Sequence, residues 1–187
     1  MNGQAAIRTG LKLAEYLAFE RESTERHEYF RGEVYAMAGG SEAHNLIAAN
    51  ILRELGNALH DRPCYAYGSD MRVKAGELYT YPDVSALCGD RRFEDEAIRD
   101  TLLNPGALVE VLSDTTEAYD RGRKFDAYRS IPSLVDYVLV SQAQRLVEHF
   151  ARQKDGSWIL HVLRAGERLR LGSLQCDLAV DEIYLKV

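Results

Sequence analysis

Two acidic residues sit inside stretches that are otherwise apolar and strand-forming: Asp83 in YPDVSAL and Glu110 in the middle of GALVEVL. A carboxylate within a buried strand is costly unless something offsets its charge. The two lie 27 positions apart (110 − 83), room for a strand, a loop and a second strand. Adjacent strands would bring both side chains to one partner, and a hard divalent cation such as Mg2+, which takes oxygen ligands, is such a partner. Each carboxylate taken singly also reads as a cap, an edge residue or half of an ion pair. A chain that points them to opposite faces would be an interaction module with incidental carboxylates.

The rest of the chain supplies the elements such a sheet needs. Thr9 can cap an amphipathic helix over 10–20, and EYFRGEVYAM, Glu28 to Met37, reads as a hairpin around Arg31-Gly32. Ser41 can cap a helix reaching about residue 60, with Ile47, Ile51, Leu55 and Ala58 at helical spacing and Leu52 and Leu59 widening the stripe. Strand-like runs follow at 64–74, 81–88 and 106–112, with the charged segment GDRRFEDEAIRD expected to form an exposed excursion between the last two. A helix over 116–130 stops before Pro132, and LVDYVLVS has the character of a buried strand. Beyond it, RLVEHFARQ, SWILHVLRA, RLRL and LQCDLAV alternate as an antiparallel meander, whose Arg145, His149 and His161 read as its wet face. The class is α/β with a mixed sheet: an αβββαβ core at about 41–141, framed by an N-terminal helix and hairpin and by C-terminal antiparallel strands. No linker composition or repeat divides the 187 residues, so one domain is expected.

Charge and cysteine usage narrow the context. Twenty-three basic against 29 acidic residues give −6, the wrong sign for a protein that coats a phosphate backbone non-specifically. Arg121, Arg123, Lys124 and Arg129 against Asp120 and Asp126 leave a local excess of +2 (4 − 2). Cys64, Cys88 and Cys176 match neither a disulfide framework nor a CxxC knuckle and read as reduced, buried thiols of a cytoplasmic protein. No window reaches the roughly 18 apolar residues a membrane span needs, so no membrane role is expected. Nucleophile elbows, Walker loops, dinucleotide fingerprints and HExxH are absent.

Pro82-Asp83, a loop, then Glu110-Val111-Leu112 resembles the PD-(D/E)XK frame of restriction-type nucleases, except that residue 112 is Leu where that frame has lysine. Lys124, 14 residues on (124 − 110) in YDRGRKFDAYRS, is the natural substitute, since variants of that superfamily carry the cation on the following helix. NPGALVEVLSDTTEAYDRGRKFDAYRSIPSLVDYVLV, with YPDVS upstream and HEYFRGEVYAMAGGSEAH nearer the start, resembles the Uma-type family of restriction-endonuclease-like proteins. In the latter stretch the matching positions are Glu28, Gly32, Glu33, Met37, Ala38, Ser41 and His44.

The resemblance implies one or two Mg2+ or Mn2+ ions, hydrolysis of a nucleic-acid phosphodiester with DNA as the expected substrate, and a homodimer. It makes Asp83, Glu110 and the Val111 carbonyl metal ligands. Lys124 becomes the charge that orients or activates the attacking water. Glu33 is a possible third acidic ligand or a solvent-facing hairpin residue; His44 is a possible phosphate contact or proton donor, or a capping-turn histidine. The alternative is a nuclease-fold protein that binds nucleic acid or a partner without cutting, which Leu112 and the net charge favour.

Overall fold

The computed structural model describes residues 5–187. Helix α1 (Leu13–Glu22) leads into hairpin strands β1 (His27–Phe30) and β2 (Glu33–Ala36), then into the long helix α2 (Glu42–Leu59). Strands β3 (Cys64–Gly68), β4 (Arg72–Ala75), β5 (Leu78–Thr80), β6 (Val84–Cys88), β7 (Thr101–Leu102) and β8 (Ala107–Leu112) follow. A helical segment then joins α3 (Glu117–Tyr119), a wide π-helical turn (Asp120–Lys124) and α4 (Phe125–Tyr128). Strands β9 (Asp136–Ser141), β10 (Leu146–Arg152), β11 (Trp158–Arg164), β12 (Arg168–Leu171) and β13 (Cys176–Ala179) lead to α5 (Val180–Ile183).

The central sheet runs β11-β10-β9-β8-β6-β3 and is mixed: β8 and β9 are parallel, and the other neighbours are antiparallel. Taken as α2, β3, β6, β8, the α3–α4 segment and β9, this is the αβββαβ order expected from the sequence. Alternation along the strands separates two faces. Val84, Ala86, Val109, Val111, Val138, Val140 and Val147 pack with Ile47, Ile51 and Leu55 of α2 and with the β12–β13 hairpin. Leu108, Leu112, Tyr137 and Leu139 face the other way, against Tyr128 and the second sheet.

That second sheet, β2-β1-β5-β4-β7, is where local pattern and structure diverge. The strand expected over 64–74 breaks at a turn closed by the Met71 amide on the Gly68 carbonyl (3.1 Å), and its second half pairs with β5 and β7. Part of the charged excursion also belongs to this sheet, with Phe93 bridging to Leu102 and buried. Helix α1 starts at Leu13, not residue 10, because Gly10 takes a left-handed φ of +74°. Glu15 accepts the Lys12 amide (2.7 Å), so Thr9 is not the cap.

Two further readings are corrected. Cys64 and Cys88 are not free thiols: the β3–β6 register sets them directly opposite, 3.9 Å apart at Cα, and they form a disulfide, leaving Cys176 free and half-buried. His149 is not on a wet face: it is 4% exposed and its Nε2 lies 2.8 Å from buried Asp136.

Candidate active site

The β6–β8 ladder pairs Val84 with Val109, so continuing the antiparallel register by one step sets Asp83 across from Glu110 (83 + 110 = 84 + 109). Glu110 shares the parity of Leu108 and Leu112, and Asp83, just before β6, reaches the same strand by accepting the Val111 amide. They line a cleft of about 910 Å3 together with Glu28, His44, Asp120 and Lys124.

Glu110 is 4% exposed and holds two partners on one oxygen: Lys124 Nζ at 2.9 Å and the Tyr128 hydroxyl, which donates at 2.6 Å. Burial pushes its pKa up to about 8; Lys124 opposes this, while Asp120 and Asp83 add to it. Lys124 reaches this point from the π-helical turn, where its ammonium also lies 3.5 Å from Asp120 and 3.6 Å from Glu28. Burial alone would discharge it, but Glu110, Asp120 and Glu28 together hold its pKa well above the ordinary lysine value. Burial likewise raises Asp120, against the pull of Lys124. Leu112 packs in the apolar cluster on the same face, so the position a lysine occupies in the PD-(D/E)XK frame is filled by core.

Asp83 is held differently. Its Oδ2 accepts the Val111 amide at 2.7 Å and lies 3.1 Å from His44 Nε2, at the first turn of α2. Ser41 caps that helix by accepting the His44 amide (3.1 Å), which fixes where the ring enters the cleft. The hydrogen bond to Asp83 raises the His44 pKa, against burial. Val111 thus enters through its backbone, and its side chain belongs to the α2 face.

Glu33 does not join the cluster. It stands exposed at the first position of β2, where its carboxylate takes the Tyr35 hydroxyl. Glu28 supplies the acid on the hairpin instead: it is 2% exposed, accepts from Thr80, and leaves Oε2 buried without a hydrogen-bond partner. The basic patch is largely spent too, since Arg121 pairs with Glu117 (2.7 Å) and Glu148 (2.5 Å), and Lys124 is buried. Sequence reasoning also missed Asp120 and Tyr128. The four-residue spacing of Asp120 and Lys124 was available as a signal; nothing local marked Tyr128.

The donor chemistry suits a hard cation. Seven acidic residues line the cleft against Arg26, His44 and Lys124, with Glu28, Glu110 and Asp120 buried around Lys124, an excess of negative charge that a divalent ion would offset. Among the described residues no three acidic or histidine side chains already converge on one point as a ready-made metal cage. Two opposed carboxylates suffice for Mg2+, which keeps waters and takes substrate oxygens for its remaining positions.

The sheet order and the carboxylate pair define a restriction-endonuclease-like fold. The same fold is found in a crystal structure from Anabaena variabilis described as "a putative nuclease belonging to DUF820", which superposes with a TM-score of 0.76 at 17% identity over 94% of this chain and 98% of that one. The chain belongs to the family Uma2, described as "Putative restriction endonuclease", whose model matches residues 13–181. Two uncharacterized proteins of Synechocystis, slr1290 and sll1609, are 40% identical over 172 residues and 37% identical over 152. The alignments cover 91% and 80% of this chain, and 89% and 85% of theirs. No helix among the described residues is long and apolar enough to cross a membrane.

Proposed function

We propose that the chain is a Mg2+- or Mn2+-dependent endonuclease that hydrolyses phosphodiester bonds of nucleic acid, with DNA as its substrate. The observation that carries this reading is that Asp83 and Glu110 line one cleft, Asp83 accepting the amide of Val111 next to Glu110, with Lys124 2.9 Å from Glu110. Asp83, Glu110 and the Val111 carbonyl would hold the ion, which when bound supplies Lewis-acid polarisation of the scissile phosphate.

The protein's own groups do the rest. Tyr128 and Lys124 fix the Glu110 carboxylate, and the Lys124 ammonium, kept charged by three acids, offsets negative charge that builds on phosphorus and orients the attacking water. His44 orients Asp83 through the bond between them. At the rim, the Ser113–Thr115 hydroxyl pair and the second amide hydrogen of Gln142, whose first goes to the Leu112 carbonyl, give neutral donors for the phosphate backbone, suited to a protein of net −6. Displacement in line needs no covalent intermediate. A homodimer fits the same picture: β11 is a sheet edge whose unpaired backbone a second copy could meet by strand pairing, with Leu160 and Val162 on one face each nearly half exposed beside it.

The test is cleavage of supercoiled, linear and single-stranded DNA and of RNA with Mg2+ or Mn2+. Cutting of DNA by the wild type, abolished in D83A with the melting temperature retained, is the expected result. If every substrate stays intact under both metals, the endonuclease reading fails. The competing reading, a protein that binds without cutting, is favoured by the occupation of Lys124 among three carboxylates. It predicts salt-dependent DNA binding with no turnover and no melting shift on adding metal.

A further inference from the structure

We propose that a second cleft, on the α2 side of the central sheet, binds a phosphate monoester carried on a small organic body. It measures about 350 Å3, the lower end of the small-ligand range. His149 and His161, paired across β10 and β11 with ring centroids 5.8 Å apart, form part of its floor, and Arg152, Arg168 and Arg170 line it.

Asp136 organises this floor and is itself closed off. It is 1% exposed and its two oxygens take four donors: His149 Nε2 (2.8 Å) and the Gly172 amide (3.2 Å) on Oδ1, the Ser173 amide (2.8 Å) and hydroxyl (2.5 Å) on Oδ2. With Nε2 committed to an acceptor-only carboxylate, Nδ1 is the ring's remaining polar atom, and no group among the described residues bonds to it. The pairing leaves a nine-tenths-buried histidine with one nitrogen unspent at a cleft.

The outward charge is then that of the arginines. Arg152 donates to the Ile131 carbonyl (3.1 Å) and Arg168 to the Asp177 carbonyl (3.0 Å), each from one nitrogen. Neither they nor Arg170 forms an ion pair among the described residues, in a chain whose acids outnumber its bases by six. Three arginines with no acid within ion-pair distance border one hollow, a charge that disfavours a metal cation on the histidine pair. A phosphate dianion offsets that charge and matches the planar donor fork. Val135, Ala151 and Leu163 provide apolar surface for the rest of the molecule.

The site is separate from the carboxylate cleft. It shares no lining residue with it, and Asp136 lies five strand residues from Ser141, about 17 Å by strand rise.

The experiment is titration calorimetry in EDTA with a 5′-mononucleotide, the matching nucleoside, inorganic phosphate and a short DNA duplex, on wild type, R168A/R170A and D83A. The mononucleotide should bind and the nucleoside should not, with inorganic phosphate weaker than the mononucleotide. R168A/R170A should lose at least tenfold in affinity at unchanged melting temperature, both side chains being exposed, while D83A binds as wild type. No binding of the mononucleotide, or loss in D83A instead, overturns the proposal. So does duplex binding that is lost in R168A/R170A without any mononucleotide binding, which would make the cleft a nucleic-acid contact.

Discussion

Lys124 meets Glu110 at 2.9 Å from a helical turn, while Leu112, two residues along the strand on the same face, is packed in apolar core. The cation sits nearest Glu110 among three carboxylates and has two elements it could come from. That makes the source of the lysine exchangeable by design. K124A should abolish cleavage and cost about 3–5 kcal/mol of stability, because buried acids lose their cation. L112K/K124A should recover part of both. Urea unfolding and plasmid nicking measure the two quantities, and a double variant as dead as K124A in both would show that the helix origin is indispensable.

The raised pKa of Glu110 has a calculable sign. Its folded value of about 8 lies above the roughly 4.3 of an unfolded glutamate, so between those values the folded state binds more protons. Stability without metal must therefore fall as pH rises from about 5 to 8 and level off above. E110Q should flatten that slope. Mn2+ binds the ionised form and should raise the wild-type melting temperature more at pH 8.5 than at pH 6. An equal shift at both would place the ion elsewhere.

Tyr128 is 0% exposed and its hydroxyl has Glu110 as its partner at 2.6 Å. Y128F keeps the ring's packing and removes only the donor. A loss of about 1–2 kcal/mol is expected, together with weaker Mn2+ affinity, read by calorimetry. Undiminished metal affinity would mean that Lys124 alone positions the carboxylate.

The disulfide joining Cys64 to Cys88 closes 24 residues of chain, including β4 and β5. C64S/C88S should lose about 2–4 kcal/mol. Thiol titration of denatured, unreduced protein should find one reactive group, Cys176, and three after reduction. Three before reduction would leave the strands joined by hydrogen bonds alone.

The frame of the fold was legible because strands carrying Val109, Val111, Val138 and Val140 and a helix carrying Ile47, Ile51 and Leu55 advertise their buried faces locally. Asp83, Glu110 and Lys124 were legible for the opposite reason, as charges where apolar residues belong or at a spacing that resembles a known frame. The second sheet was not, since β4, β5 and β7 are two to four residues each and gain their identity from partners far along the chain. Glu28 matched the family pattern, but its place in the cleft did not show: only the pairing of β1 with β5 brings Thr80 and then the cleft to its side chain. Glu33, one pleat away in the hairpin, has the same local appearance and a different fate.

The wide turn at Asp120–Lys124 spends one more residue than an α-helical turn would. Removing one residue there, for instance Gly122, would rewind the segment and rotate what lies on one side of it by about 100° relative to the other. Either Tyr119 and Asp120 or Phe125 and Tyr128 would then leave their places, while the strands on both sides kept theirs. A single-codon deletion is thus a route by which a relative could keep the sheet and shed the cation, and alignment length across this turn is a mark of which relatives keep it.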